Sequence, residues 1–417
     1  MSRNTPDVAT ATPEEPRAAG GGAAPRTSTG RTGPLGRVLR GDGARSLGLV
    51  VVLALIFVVG WATAGSSFAS ASNMTTILSQ AAVLGVVSIG LTFVITGGGI
   101  DLSVGSVIGL SSVWASTLAT QTIAESFHWS VVVFTGLAVG TVAGLVNGAL
   151  VAYGRVVSFI ATLSMLVAAR GLAEIIAQRR TQIVGVDGFL EVFRADLLGV
   201  PVLVWIFLLV AVAGWVLLNR TTFGRRTVAV GGNPEAARLA GIRVRRHTML
   251  LYGLAGLTAG IAGVMFLART GAGSSTNGTL YELQAIAAVV VGGTLLAGGR
   301  GTVVGTVLGV LIFAALTNVF IQNNLSISAQ SIAQGAIIVV AVLLQQRLGA
   351  RRPPRRRRLA RAGTPRPRRP SARARHAPLP RPGRPAPPPP RGDPCPPPLP
   401  AARGSWRPAP SRSARCC

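Results

Sequence analysis

The chain has 417 residues, 49% of them hydrophobic and only 13% charged, with a mean hydropathy of +0.50. Soluble globular chains carry about 25% charged residues, so this composition excludes an ordinary soluble domain and points to a polytopic membrane protein. The net charge of +28 does not imply a nucleic-acid partner. Residues 351–417 supply +18 of it, with 19 Arg against one acid, Asp393.

All 41 basic residues are arginine. A lysine-bearing P-loop and a Schiff-base lysine are therefore excluded. The arginine bias also fits a GC-rich genome. The three cysteines, Cys395, Cys416 and Cys417, lie in the tail, so no disulfide or thiol chemistry is expected in the membrane section.

Residues 1–46 are rich in Gly, Ala, Pro, Arg and Thr and read as a disordered, cytoplasmic N-terminal tail. The tail is too long and polar for the leading part of a cleaved signal, so "LGLVVVLALIFVVGWATA" reads as a retained first span. Apolar runs predict ten spans, roughly 47–64, 75–95, 103–119, 130–152, 157–178, 200–218, 247–268, 282–298, 302–322 and 330–346. Several fall short of the roughly 20 residues of a full crossing, which predicts broken or buried helices. The fold class is an all-α transmembrane bundle.

Arginine placement sets the orientation. With the N-terminus inside, the inner loops hold Arg155, Arg220, Arg225, Arg226, Arg238, Arg243, Arg245, Arg246, Arg300 and Arg347. The outer loops hold Arg179, Arg180, Arg194 and Arg269. The positive-inside rule then puts both termini in the cytoplasm.

Between the second and third spans lies "TGGGIDLSVGS". Gly97, Gly98 and Gly99 permit a tight or broken helix end, and Asp101 or Ser103 can cap the next helix. The turn is either a capped interfacial turn or one that dips into the membrane and lines a solute path, which makes Gly97, Gly98 and Gly99 path candidates; irregular backbone at that depth must be buried in protein or face water. Gly136, Gly140, Gly144 and Gly148 fall every fourth residue, as do Gly301, Gly305 and Gly309, and Gly256 with Gly260. Such stripes predict close helix packing in lipid. "TVAGLVNGALV" and "TVLGVLIFAAL" lie in spans of opposite direction and suggest an inverted repeat.

The longest inner loop, 219–246, carries "NPEAARLAG". Asn233 suits the N-cap, Pro234 the first helical position, Glu235 the positive helix end and Gly241 the left-handed C′ position. A helix of about two turns, about 10 Å, is predicted. It is too short to stand alone. It either ties two spans together or inserts into a groove on a partner.

Buried or span-edge polar residues are the candidates for a solute path: Gln80, Thr92, Thr96, Asp101, Ser103, Asn147, Arg170, Glu174 and Glu282. Arg170 and Glu174, four apart, are placed to pair on one helix face. No G-x-S-x-G or H-E-x-x-H occurs, and the histidines are His128, His247 and His376. Neither a catalytic centre nor a metal site is expected.

"EAA" followed by Gly241 resembles the loop of ATP-binding-cassette importer permeases that docks on the ATPase subunit. "LTFVITGGGIDLSVGSVIGL", "VVSFIATLSMLVAARGLA" and "YELQAIAAVVVGGTLLAGGRGTVVGTVLG" are similar to the ribose/xylose/galactose-type sugar permeases. The resemblance spans about residues 66–347, in order. One departure is "IRVRRHTML" after Gly241, where the wider importer pattern has an I-x-L-P ending.

The resemblance implies a permease domain over 47–347 that works with an ATPase subunit, an extracytoplasmic sugar-binding protein and a second permease copy or related permease. ATP and Mg would sit on the ATPase, and this chain would bind no cofactor. Gly232, Asn233, Glu235, Ala236, Ala237 and Gly241 would carry the coupling. Arg238, Arg243, Arg245 and Arg246 read as topogenic or lipid-facing. The implied location is the bacterial inner membrane, and the implied solute is a monosaccharide. The competing class is a stand-alone secondary transporter or channel, which commonly carries a deep coupling acid; Asp101 is the plausible one here.

The resemblance stops before the Arg/Pro-rich tail, 348–417, where composition changes abruptly and 20 of the 27 prolines lie in 351–417. No core forms from this composition. It reads either as a basic arm that touches anionic lipid or nucleic acid or, the favoured expectation, as the product of a shifted reading frame in a GC-rich gene.

Overall fold

The computed structural model describes residues 42–350, with side chains described for 46–337 and 339. The readings of 1–41 and 351–417 fall outside these residues. The helices are α1 (Asp42–Phe68), α2 (Ala71–Thr96), α3 (Val104–Ala115), α4 (Leu118–Ser126), α5 (Ser130–Ala152), α6 (Ser158–Ile176) and α7 (Asp187–Arg194). They continue as α8 (Val202–Asn219), α9 (Thr222–Gly232), α10 (Pro234–Leu239), α11 (Val244–Thr270), α12 (Tyr281–Val291), α13 (Val303–Gln322) and α14 (Ile327–Ala350). Two short antiparallel pairings, Gln182–Ile183 with Ala272–Gly273 and Asp196–Leu197 with Val200–Pro201, tie loops together.

The chain is an all-α, multi-pass membrane protein. Among the described residues, seven helices are long and apolar enough to cross a membrane: α1 from Ser46, α2, α5, α6, α8, α11 and α13. The tenth expected span lies within α14.

Two expected spans are shorter than their apolar runs. α3 has 12 residues and α12 has 11, about 18 and 17 Å against a core of about 30 Å. The run 103–119 is cut because Thr117 starts a new helix, its hydroxyl accepting from the Thr120 N–H at 3.3 Å. The run 282–298 is cut at Gly293, whose φ is +101°.

α2 is the hub. Every residue from Ala81 to Thr96 is buried. In contrast, α1 presents an apolar outer face, with Val51, Leu55 and Trp61 60–63% exposed. Buried amides pin α13 to α2: Asn73 and Asn318 exchange hydrogen bonds of 3.0 and 2.8 Å. The Thr92 and Thr306 hydroxyls add a contact at 2.8 Å. Interhelical polar pairs of this kind contribute about 0.6 kcal/mol on average in lipid.

The α5 glycine stripe lies against α11. A Cβ at Gly140 would sit 2.5 Å from the Gly256 carbonyl oxygen, and one at Gly148 2.7 Å from the Met249 oxygen. Gly144 approaches the backbone of Tyr252 and Gly256, and Gly136 meets Val264. The second stripe is divided. Gly305 and Gly309 pack on the α12 backbone at Gly292 and Ala288, while Gly301 packs on Thr96.

Candidate functional site

Helix α10 is closed at both ends by its own residues. Asn233 Oδ1 accepts the Ala236 N–H at 3.0 Å, and Pro234 opens the first turn. At the other end Gly241 has φ +82°. The Gly241 N–H donates to the Arg238 carbonyl and the Ile242 N–H to the Ala237 carbonyl, both at 3.0 Å. This is a Schellman motif. Ala237 is buried, whereas Glu235, Ala236 and Leu239 are exposed, Leu239 by 83%. Glu235 pairs with Arg238 at 3.0 Å in the open, where an ion pair contributes about 0–1 kcal/mol.

The segment before α10 meets two other turns. "TGGG" ends α2 in a second Schellman motif: Gly98 N–H donates to Ile95 and Gly99 N–H to Val94, both at 3.0 Å. Gly98 takes φ +84°, a conformation that L side chains rarely adopt. The Thr96 carbonyl then accepts the Gly299 N–H at 2.8 Å. Gly231, in the last turn of α9, lies between them. A Cβ there would collide with the Thr96 carbonyl and lie 2.7 Å from Gly299 N. Gly298 closes the triangle, its Cβ position 2.8 Å from both the Gly231 oxygen and the Gly98 Cα. Three segments thus touch backbone to backbone, two residues before the α10 cap. A cavity of about 290 Å³, lined by Gly97, Gly98, Gly99, Pro234 and Tyr252 among others, adjoins this junction.

Beyond the junction the chain is irregular and buried. Asp101 is 1% exposed. Its Oδ1 accepts from Ser103 N at 2.9 Å and Ser103 Oγ at 2.6 Å. Asn147 of α5 donates to Ser103 Oγ at 2.8 Å, and its own Oδ1 is buried without a partner among the described residues. The Ile100 carbonyl accepts from Tyr252 at 3.3 Å and Thr162 at 3.4 Å. Ser103 occupies the cap position of α3 but makes no side-chain cap bond. Asp101 instead closes a local turn on the Ser103 N–H, as Asx side chains do.

Arg170 and Glu174 do not pair. Arg238–Glu235, three apart on α10, does form an ion pair. Arg170 donates to the carbonyls of Ser275 and Asn277, the latter at 3.2 Å. The loop 271–280 folds over α3 and brings these acceptors closer than the Glu174 carboxylate. Asn277 extends the contact by donating to Ser112 Oγ at 3.2 Å. Glu282 Oε2 is buried against Gly105, unpartnered among the described residues.

Gln80 stands apart, about 24 Å along α2 from Thr96. It lines a cavity of about 190 Å³ with Arg269, Tyr281, Gln284, Phe313 and Thr317. Of the residues singled out for a solute path, Thr92 meets Thr306, Arg170 and Glu174 lie on α6 with Arg170 on the Ser275 and Asn277 carbonyls, and the others occupy four places. Thr96 and Gly97–Gly99 form the junction. Asp101, Ser103 and Asn147 form one buried network. Glu282 faces α3, and Gln80 lines the far cavity. Gly231, Gly298, Gly299, Tyr252 and Arg269 were not singled out as site residues. The paired glycines of "VGGN" and "AGGRG" were the available signal for the first three.

A bundle of apolar spans, two half-length helices and a doubly capped helix outside them define a multi-pass membrane protein of the permease class. A family model described as "branched-chain amino acid transport system / permease component" matches residues 73–342, and the chain belongs to that family. It is 39% identical to the ribose import permease protein RbsC of Bacillus subtilis (strain 168), over 73% of this chain and 92% of that protein. It is 34% identical to the galactose/methyl galactoside import permease protein MglC of Escherichia coli (strain K12), over 73% and 94%. With the xylose transport system permease protein XylH of the same strain the identity is 33%, over 72% and 93%. No solved structure matches the chain.

Proposed function

We propose that this chain is the membrane-spanning permease subunit of an ATP-binding-cassette importer that translocates a monosaccharide. An extracytoplasmic binding protein delivers the solute, and a separate ATPase subunit, holding ATP and Mg, supplies the work. The subunit acts with a second copy or a related permease in the bacterial inner membrane. It has ten spans, both termini face the cytoplasm, and it has no catalytic site of its own.

The observation that carries this reading is the backbone junction next to α10. Gly231 couples the α9–α10 segment to the end of α2 and to the 298–299 turn at once. A displacement of α10 by a nucleotide-driven partner is thereby felt at both turns without passing through flexible side chains. ATP shifts the permease only by favouring one state over the other. α2 extends from the junction to the Gln80 cavity, so one helix connects the coupling end to a chamber of two amides, the Thr317 and Tyr281 hydroxyls, aromatic faces and the Arg269 guanidinium. Those groups suit the hydroxyls and ring faces of a sugar.

Reconstitution tests the assignment. Sugar uptake into proteoliposomes should require this chain, the ATPase subunit and loaded binding protein together. Uptake that persists without any ATPase subunit would sink it and favour a stand-alone transporter.

A further inference from the structure

Beside α10 lies a second cavity, of about 570 Å³, between α9, the 240–243 turn and the first turns of α11. Arg226, Arg243 and Arg246 line it, and no acidic residue does. Each of the three is exposed. None of the three forms an ion pair with a carboxylate among the described residues. Phe223, Ala240, Gly241, Ile242, His247 and Leu250 form the rest of the wall. The back is rigid: His247 Nε2 meets Thr227 Oγ1 at 2.9 Å and its ring packs on Phe223 at 4.7 Å.

Depth identifies the ligand. Arg243 and Arg246 flank the start of α11, a membrane-spanning helix. Leu250 is one turn further in, about 6 Å, and is 42% exposed. Cationic groups at the rim and the apolar Leu250 side chain one turn deeper match a phosphodiester with its acyl chain below. A protein carboxylate would need the arginines but not the apolar side chain. Guanidinium forks bind phosphate oxygens in pairs, and basic pockets between spans hold anionic headgroups.

We infer that this cavity is a binding site for the phosphate headgroup of an anionic phospholipid, seated against the coupling loop. The inference is independent of which solute is carried.

The test uses the full chain in phosphatidylcholine nanodiscs doped with phosphatidylglycerol, with native mass spectrometry counting the lipids retained on ejection. Wild type should retain phosphatidylglycerol in preference to phosphatidylcholine. Arg226→Gln, Arg243→Gln and Arg246→Gln should each lower the retained fraction about fivefold. Arg245→Gln, on the same loop but outside the cavity, should leave it unchanged. Arg246→Lys, which keeps the charge but not the paired N–H fork, should retain a fraction between wild type and Arg246→Gln. Excess inorganic phosphate should not displace the lipid, because it lacks the acyl chain.

Four results would each overturn the inference. One is undiminished retention in the triple glutamine variant. Another is equal loss in Arg245→Gln. The third is displacement by free phosphate. The fourth is glutamine variants that keep their lipid but lose the ATPase subunit, which would assign the cavity to a protein partner.

Discussion

Replacing Gly231 with alanine separates the coupling junction from every other contact of α10. The new Cβ would collide with the Thr96 carbonyl and stand 2.7 Å from Gly299 N and 2.9 Å from Thr96 C. All three atoms are backbone, so none can rotate away. Overpacking of this kind costs about 1–3 kcal/mol, and opening the junction relieves it. The same energy is about a 5- to 150-fold shift between a closed and an opened junction. Helix α10 keeps its caps, so ATPase-subunit binding should stay near wild type while sugar moved per ATP falls at least fivefold. Gly171→Ala, on α6 and outside the coupling set, is the control. Its Cβ would find no heavy atom within 4 Å, and transport should persist. The assay is paired uptake and ATP hydrolysis in proteoliposomes. Wild-type uptake per ATP in Gly231→Ala would refute the backbone route.

Three further outcomes follow from the same geometry. Leu239 is 83% exposed on α10, and burying a leucine contributes about 1.5–3 kcal/mol. Leu239→Asp should therefore weaken ATPase-subunit binding by tenfold or more in a pull-down titration; unchanged affinity would mean that α10 does not insert this face. Gly144→Leu would force α5 from the backbone of Tyr252 and Gly256, and should lower the thermal unfolding midpoint of the detergent-solubilised chain, whereas Gly171→Leu, with open space around its Cβ position, should not. Thr317→Val removes one hydroxyl from the Gln80 cavity at nearly constant volume. It should reduce uptake about three- to tenfold while stimulation of ATP hydrolysis by loaded binding protein is retained, and equal loss of both would indicate a structural role instead.

What was legible in the sequence was local. The caps of α10 depend on Asn233, Pro234 and Gly241 and on hydrogen bonds spanning five residues or fewer. The end of α2 likewise follows from three consecutive glycines. Long-range partners were not legible. "GGN" does not reveal that Gly231, rather than Gly232, abuts Thr96, because the choice depends on where α2 and the 298–299 turn come to rest. Arg170 and Glu174 have helical pairing spacing, yet the carbonyls of Ser275 and Asn277, over 100 positions away, take the guanidinium. The apolar runs at 103–119 and 282–298 read as spans because hydropathy ignores the breaks set by the Thr117 cap and Gly293.

The central claim is that this chain carries solute only when a partner ATPase works through α10. Uptake of radiolabelled monosaccharide into proteoliposomes, with loaded binding protein and internal ATP, measured with the ATPase subunit present and absent, tests it most directly. Uptake is expected with the subunit and none without it. Equal uptake in both preparations would contradict the claim.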